Sequence, residues 1–252
     1  MTDQKMPLTA HLEELRKRLI VSLVALAVGF GIAYGFKEKL FFFLSRPLEK
    51  HLPEGSTLQY IGIPEAFLTY LKLSLFGGLL LALPVILYEI WRFVAPGLYE
   101  REKRYIVPFV FFSMVFFLGG ASFCYFVVFP FVFQFFLSFS GDSLQAIPAI
   151  QQYLSFSVRM LVAFGLVFEM PIVFFFLGRT GLVSYKGLAR QRRLAVVLVF
   201  VAAAVLTPPD VASQLLLAGP LLILLELSLQ IVRITGRKPD DEEEEKTEAP
   251  AG

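Results

Sequence analysis

From Ile106 to Phe136 the chain carries no charged side chain. At about 1.5 Å of rise per residue, a helix of that length exceeds the roughly 30 Å hydrocarbon core of a bilayer. Five further apolar runs accompany it: Leu19–Phe36, Ala66–Tyr88 with Lys72 near its start, Tyr153–Gly178 with Arg159 and Glu169, Leu194–Leu206, and Val211–Val232 with Glu226 towards its end. Most of the remaining charge lies in blocks between the runs. In lipid, a helix satisfies its backbone N–H groups within its own segment. The pattern therefore predicts an all-α integral membrane protein with six transmembrane helices. Composition agrees, because 56% hydrophobic residues, 28 Phe and a mean hydropathy of +0.68 exceed what a soluble domain of 252 residues needs. Pro108 and Pro130 mark expected bends in the third span, where a missing N–H weakens the helix.

Lysine and arginine set the expected orientation. Segments ending at Arg18, spanning Arg92–Arg104 and Arg179–Arg193, and starting at Arg233 together hold seventeen; Lys37–Pro64, Ser138–Gln152 and Thr207–Asp210 hold four. Cytoplasmic loops are the basic ones, so both termini are expected in the cytoplasm. Arg16, Lys17 and Arg18 precede an apolar run too long for a cleavable signal, and no small-residue cleavage site closes it. The first span is therefore expected to stay in the protein. One six-helix domain, residues 1–237, precedes a tail, 238–252, whose acidic stretch Asp240–Glu248 reads as solvated and disordered.

Several chemistries are excluded. Cys124 is alone in an apolar run, so no intrachain disulfide forms. His11 and His51 fall on opposite sides of the expected membrane, which leaves no His-based metal site. Neither HExxH, a phosphate-binding glycine loop nor Gly-x-Ser-x-Gly is present. The reading is of a protein that is not an enzyme and needs no cofactor.

Glu169 is the sole charge in Met160–Gly178. An acid at the bilayer centre costs roughly 2.5–3.5 kcal/mol on insertion scales, and such residues mark functional sites by default. Arg159 lies ten residues away, about 15 Å of rise and about 80° around the axis, so the two cannot pair within a straight helix. Pro171, in Phe168-Glu169-Met170-Pro171, is expected to kink the span beside the acid.

Three more segments stand out. His11–Arg18 (HLEELRKR) leads into the first span with Glu13–Lys17 and Glu14–Arg18 in the favourable i,i+4 order; alone, it reads as a juxtamembrane anchor. Phe93–Arg104 (FVAPGLYEREKR) reads either as an interfacial turn with aromatic-belt residues or as a groove with acids on its rim. Leu206–Gln214 (LTPPDVASQ) makes a tight turn, with Asp210 placed to cap the sixth helix. The fifth span, Leu194–Leu206, has thirteen residues, about 20 Å of helix, a mismatch that thins the bilayer locally or calls for a partner.

In this order and spacing, HLEELRKR, Pro47, LPVILYEIWRFVAPGLYEREKR, FEMP and TPPDVASQ resemble the TatC family, the multi-span core of the twin-arginine protein translocase. The resemblance covers the chain to about Arg237. It implies a core receptor of the bacterial cytoplasmic (inner) membrane. Such a receptor binds the paired arginines of signal peptides on folded cargo, recruits single-span TatA/TatB-type partners and self-associates. Transport is then driven by the proton-motive force. Carried over residue by residue, the signal-peptide positions are Glu14, Glu102 and Phe93, with His11, Leu12, Leu15 and Arg16 shaping the same surface. Glu169, Thr207 and Gln214 match the intramembrane and partner face. Pro47, Pro208 and Asp210 match the outer cap. Paired guanidinium groups suit carboxylates because Arg–carboxylate forks select geometry as well as charge. Short fifth and sixth helices beside Glu169 complete a concave arrangement. The chain departs from the pattern at Arg92, an added cation beside Phe93, and at Glu13 and Glu100, added acids beside the matched ones. The alternatives are a proton-coupled small-molecule transporter using Glu169, or a non-transporting assembly scaffold. For the first, Pro84-Val85-Ile86 and Pro171-Ile172-Val173 echo one another, but spans two and four run the same way and form no inverted repeat.

Overall fold

The computed structural model describes residues 8–52, 58–59, 62–94, 106–139, 148–206 and 211–236. Ten α-helices follow in order among them: α1 (Leu8–Gly35), α2 (Lys37–Glu49), α3 (Glu65–Val94), α4 (Ile106–Phe123), α5 (Phe129–Leu137), α6 (Ile150–Phe168), α7 (Met170–Arg179), α8 (Tyr185–Arg190), α9 (Arg192–Leu206) and α10 (Val211–Thr235). A π-helical turn, Cys124–Val128, joins α4 to α5. Among the described residues five stretches are long and apolar enough to cross a membrane: His11–Gly35, Glu65–Val94, Val107–Leu137, Ile150–Arg179 and Leu217–Thr235, the last within the 25-residue α10. With the 15-residue α9 they make the six expected spans. The helices fall into two compact units, Met1–Phe164 and Gly165–Gly252.

In the first unit α1 and α3 pack antiparallel at a crossing built from small residues. A Cβ on Gly29 would meet the Gly78 carbonyl oxygen at 2.5 Å, and one on Gly78 would meet the Phe30 nitrogen at 2.5 Å. Gly77 faces Ala33, where a Cβ would lie 3.0 Å from the alanine methyl. In a bilayer lipid tails compete with apolar side chains on equal terms, so helix pairs are held by such close backbone approach. Leu83 and Leu87 of α3 pack on Phe117 of α4, and the Trp91 indole N–H donates to Ser113 at 2.9 Å.

The segment after the first span is helical rather than a plain loop. Leu44, Ser45, Pro47 and Leu48 of α2 are buried. Pro47 has no N–H to give the carbonyl four residues back, that of Phe43. The Tyr125 hydroxyl donates to that oxygen at 2.6 Å, and its ring stacks on Phe43 at 4.5 Å. The Tyr153 hydroxyl donates to the Leu44 carbonyl at 2.7 Å, and His51 Nδ1 lies 2.8 Å from the Pro47 carbonyl. Pro47 thus sits where the two spans that carry Tyr125 and Tyr153 are pinned to α2. Before α3 and α6, Gln59 and Ala149 form one isolated parallel bridge.

The third span changes its helical winding beside one of its two expected prolines. The π turn ends two residues before Pro130 and widens the backbone where its N–H is missing; the Phe129 N–H reaches back to the Cys124 carbonyl. Pro108 lies in the first turn of α4, where N–H groups have no acceptor within the helix, so it removes no helical hydrogen bond. The fourth span breaks at Glu169, between α6 and α7 and two residues before Pro171.

In the second unit α10 packs on α7, where a Cβ on Gly178 would touch Val232 at 3.2 Å. Gly181, at φ 74°, turns the chain out of α7 in the left-handed region that favours glycine. Ser184 then caps α8 by accepting from the Gly187 N–H at 3.2 Å. Arg192 at the start of α9 pairs with Glu226 of α10. At the other end of that hairpin, the Gln214 amide donates to the Phe200 carbonyl at 3.0 Å.

Candidate functional site

The antiparallel pairing that joins Gly29 to Gly78 also brings the N-terminal turns of α1 beside the last turns of α3. His11, Glu14 and Arg18 recur at i, i+3 and i+7, one stripe of α1. Glu89 and Phe93 are four apart on α3 and share a face. The two stripes meet. The His11 imidazole stacks on the Phe93 ring, with centroids 4.5 Å apart and planes inclined by 24°. Arg18 Nε donates to Glu14 at 3.1 Å, and its Nη1 donates to Glu89 at 3.0 Å. Only about an eighth of the Arg18 and Glu89 side chains is exposed, 13% and 12%, against 24% for Glu14. One guanidinium is therefore gripped by two carboxylates beside an aromatic stack, and the trio of Glu14, Arg18 and Glu89 has a net charge of −1.

The surroundings sort into inward and outward groups. Glu13 and Lys17 pair at 2.9 Å on the exposed side of α1, so the extra acid Glu13 does not join the cluster. Leu12, Leu15 and Arg16 are exposed and flank it. Arg92 lies over the Tyr88 ring, 5.9 Å from its centroid. That face of α3 is about 100° from the one bearing Glu89 and Phe93, so the added cation does not crowd the stack. Trp91, buried on a third side, stacks on Phe109 at 5.0 Å and fixes the roll of α3. Glu100 and Glu102 lie outside the described residues.

The expected partner-face and outer-cap residues are distributed as follows. Glu169 is half-buried in the break of the fourth span. Its N–H donates to the Leu166 carbonyl at 3.1 Å, and its carbonyl accepts from Ile172 and Val173 at 3.0 Å. Gln214 closes the α9–α10 hairpin from within. Thr207, Pro208 and Asp210 lie outside the described residues. Among the described residues no cluster of His, Cys, Asp and Glu could hold a metal ion.

Two participants escape a residue-by-residue reading. Arg18 enters that reading only as a helix-stabilising partner of Glu14, and Glu89 not at all. The usable signal is topological: consecutive spans joined by one loop return antiparallel, so acids and bases opening span one face those closing span two.

Comparison with known proteins decides the family. A profile of "Sec-independent protein translocase protein (TatC)" matches residues 10–220. A protein named Sec-independent protein translocase protein TatC, from Desulforapulum autotrophicum, is 51% identical over 98% of this chain and 91% of its own length. The chain belongs to the TatC family. A TatC from Aquifex aeolicus is 41% identical over 92% of this chain and 97% of its own. A crystal structure described as the twin arginine translocase receptor TatC superposes with a TM-score of 0.82 at 40% identity, covering 90% of this chain and all of that one. The six-span arrangement is that of TatC. TatC membership makes the chain a membrane-embedded component of a protein translocase, not an enzyme.

Proposed function

We propose that the His11–Phe93 stack and the Glu14–Arg18–Glu89 cluster form part of the receptor surface for the paired arginines of an export signal peptide on folded cargo. The carrying observation is that this surface already holds one guanidinium between two carboxylates, beside an aromatic platform of the kind on which guanidinium groups stack. Glu102 supplies a second carboxylate to the incoming pair, while Leu12 and Leu15 offer apolar contact and Arg16 shapes the rim. The surface faces the cytoplasm of a bacterial inner membrane, with both termini on that side.

Partner recruitment belongs to the second unit. Glu169, at a helix break within a span, lowers the cost of a polar residue on a single-span TatA/TatB-type helix entering the bilayer. The 15-residue α9, about 22 Å long, thins the lipid beside it. Thr207 meets the partner near the outer end, and Gln214 holds the hairpin that presents it. Pro47, Pro208 and Asp210 shape the outer cap.

The test is export of a folded twin-arginine reporter in a deletion strain complemented by this chain. Glu14→Ala and Glu102→Ala are each expected to abolish signal-peptide crosslinking, with the Asp variants retaining more. Wild-type export by Glu102→Ala, with a Lys-Lys cargo still rejected, would place the recognition site elsewhere.

A further inference from the structure

Away from the His11–Phe93 end, the first unit contains an open groove of about 660 Å³ whose lining includes Leu26 of α1, Lys72, Leu75 and Leu79 of α3, and Ser155 and Arg159 of α6. Its walls are aliphatic and aromatic, and no carboxylate is among the lining residues. Two cations nevertheless converge there. Lys72 Nζ donates to the Ser155 hydroxyl at 2.9 Å, and Arg159 Nε donates to the Ser155 carbonyl at 3.1 Å. Both side chains are held by one residue and both lie on exposed surface.

Depth follows from helix length. The 30 residues of α3 make about 45 Å, roughly 15 Å more than the hydrocarbon core. Lys72 lies seven residues from the Glu65 end and Arg159 nine from the start of α6, or about 10–14 Å along each helix. Both Cα atoms are thus just inside the hydrocarbon boundary, and long basic side chains there extend their charge back towards the headgroups. The serine oxygens contribute dipoles but no negative charge. A phosphodiester supplies both missing charge and acceptor oxygens, and ionic donors bind it more strongly than neutral ones do.

We infer that this groove is a binding site for an anionic phospholipid, its phosphate bridging Lys72 and Arg159 and one acyl chain lying along Leu26, Leu75 and Leu79. The site is separate from the receptor surface, at the opposite end of the α1–α3 pair, and does not rest on the proposed recognition of arginine pairs.

Native mass spectrometry of the purified full chain, offered phosphatidylglycerol and phosphatidylcholine at equal concentration, tests it. Both lipids carry the phosphodiester, but only in phosphatidylglycerol is its negative charge not offset by a headgroup cation; at about 1 kcal/mol per interfacial cation, two cations are expected to give roughly thirty-fold preference for it. The double variant Lys72→Gln/Arg159→Gln is expected to bring the two lipids close to parity. Lys72→Arg, which keeps charge and reach, should keep the preference. Lys39→Gln/Arg46→Gln, altering basic residues outside the groove, should also keep it. Preference is read between two lipids in one sample of chain that elutes as folded protein, so a general loss of stability does not mimic the result. Parity in the wild type would overturn the assignment, as would a preference that survives the double glutamine variant. A photo-crosslinker at Leu75 in native membranes should capture lipid; capture of a protein helix instead would make the groove a protein-docking surface.

Discussion

Arg18 serves two carboxylates, and that sharing decides how the cluster behaves. Glu14 alone would neutralise it; the addition of Glu89 leaves one net negative charge in a half-buried place, where salt screens weakly. Glu89→Gln keeps an acceptor oxygen for Arg18 and removes that charge. Photo-crosslinking of a twin-arginine signal peptide is therefore expected to fall several-fold. Hydrogen bonds to charged groups contribute about 1.5–3 kcal/mol, and because glutamine still accepts one, the thermal midpoint in detergent should drop by only a few degrees. Undiminished crosslinking in Glu89→Gln would mean that the net charge of the trio plays no part in attraction. The Glu14–Arg18 pairing was legible because i,i+4 contacts are local, while the place of Glu14 in the site came from the family resemblance. Glu89 was not, since its partner is 71 residues away and only the antiparallel return of the chain brings them together.

The elements divide along the same physical line. Spans one to four could be read closely from long apolar runs with few or no charges, and the break beside Pro171 followed from a missing N–H. The short helices α2 and α8 could not, because hydropathy over a bilayer-length window does not register 13 or 6 residues at an interface. The π turn escaped for another reason: a proline announces a lost hydrogen bond but not how the backbone accommodates it. The α1–α3 crossing offers a test at this scale. Gly78→Ala puts a methyl onto the backbone of Phe30 and should destabilise the chain by about 1–3 kcal/mol, the usual cost of overpacking. Gly31→Ala, on the same helix as Gly29 but with open space at its Cβ, should be neutral or stabilising by up to about 1 kcal/mol from helix propensity. Thermal unfolding of both variants in one detergent provides the comparison, and equal destabilisation would remove the crossing as the cause.

At the scale of the whole molecule, the six spans and the distribution of basic residues make one joint statement about sidedness. With Cys124 replaced, a cysteine at Gly187 or Gly252 should resist an impermeant thiol reagent added outside intact cells, while one at Ser143 should react. The reverse pattern would invert the topology. The Gly29–Gly78 contact carries a last consequence. Because each backbone lies against the other, neither helix can slide past its partner without a collision, and the relative height of His11, Phe93, Arg18 and Glu89 is set before any peptide arrives. Preorganisation of this kind lowers the ordering entropy charged to association; on the proposed reading of the site, selectivity between arginine and lysine pairs would then come from a fixed template rather than one moulded around its guest.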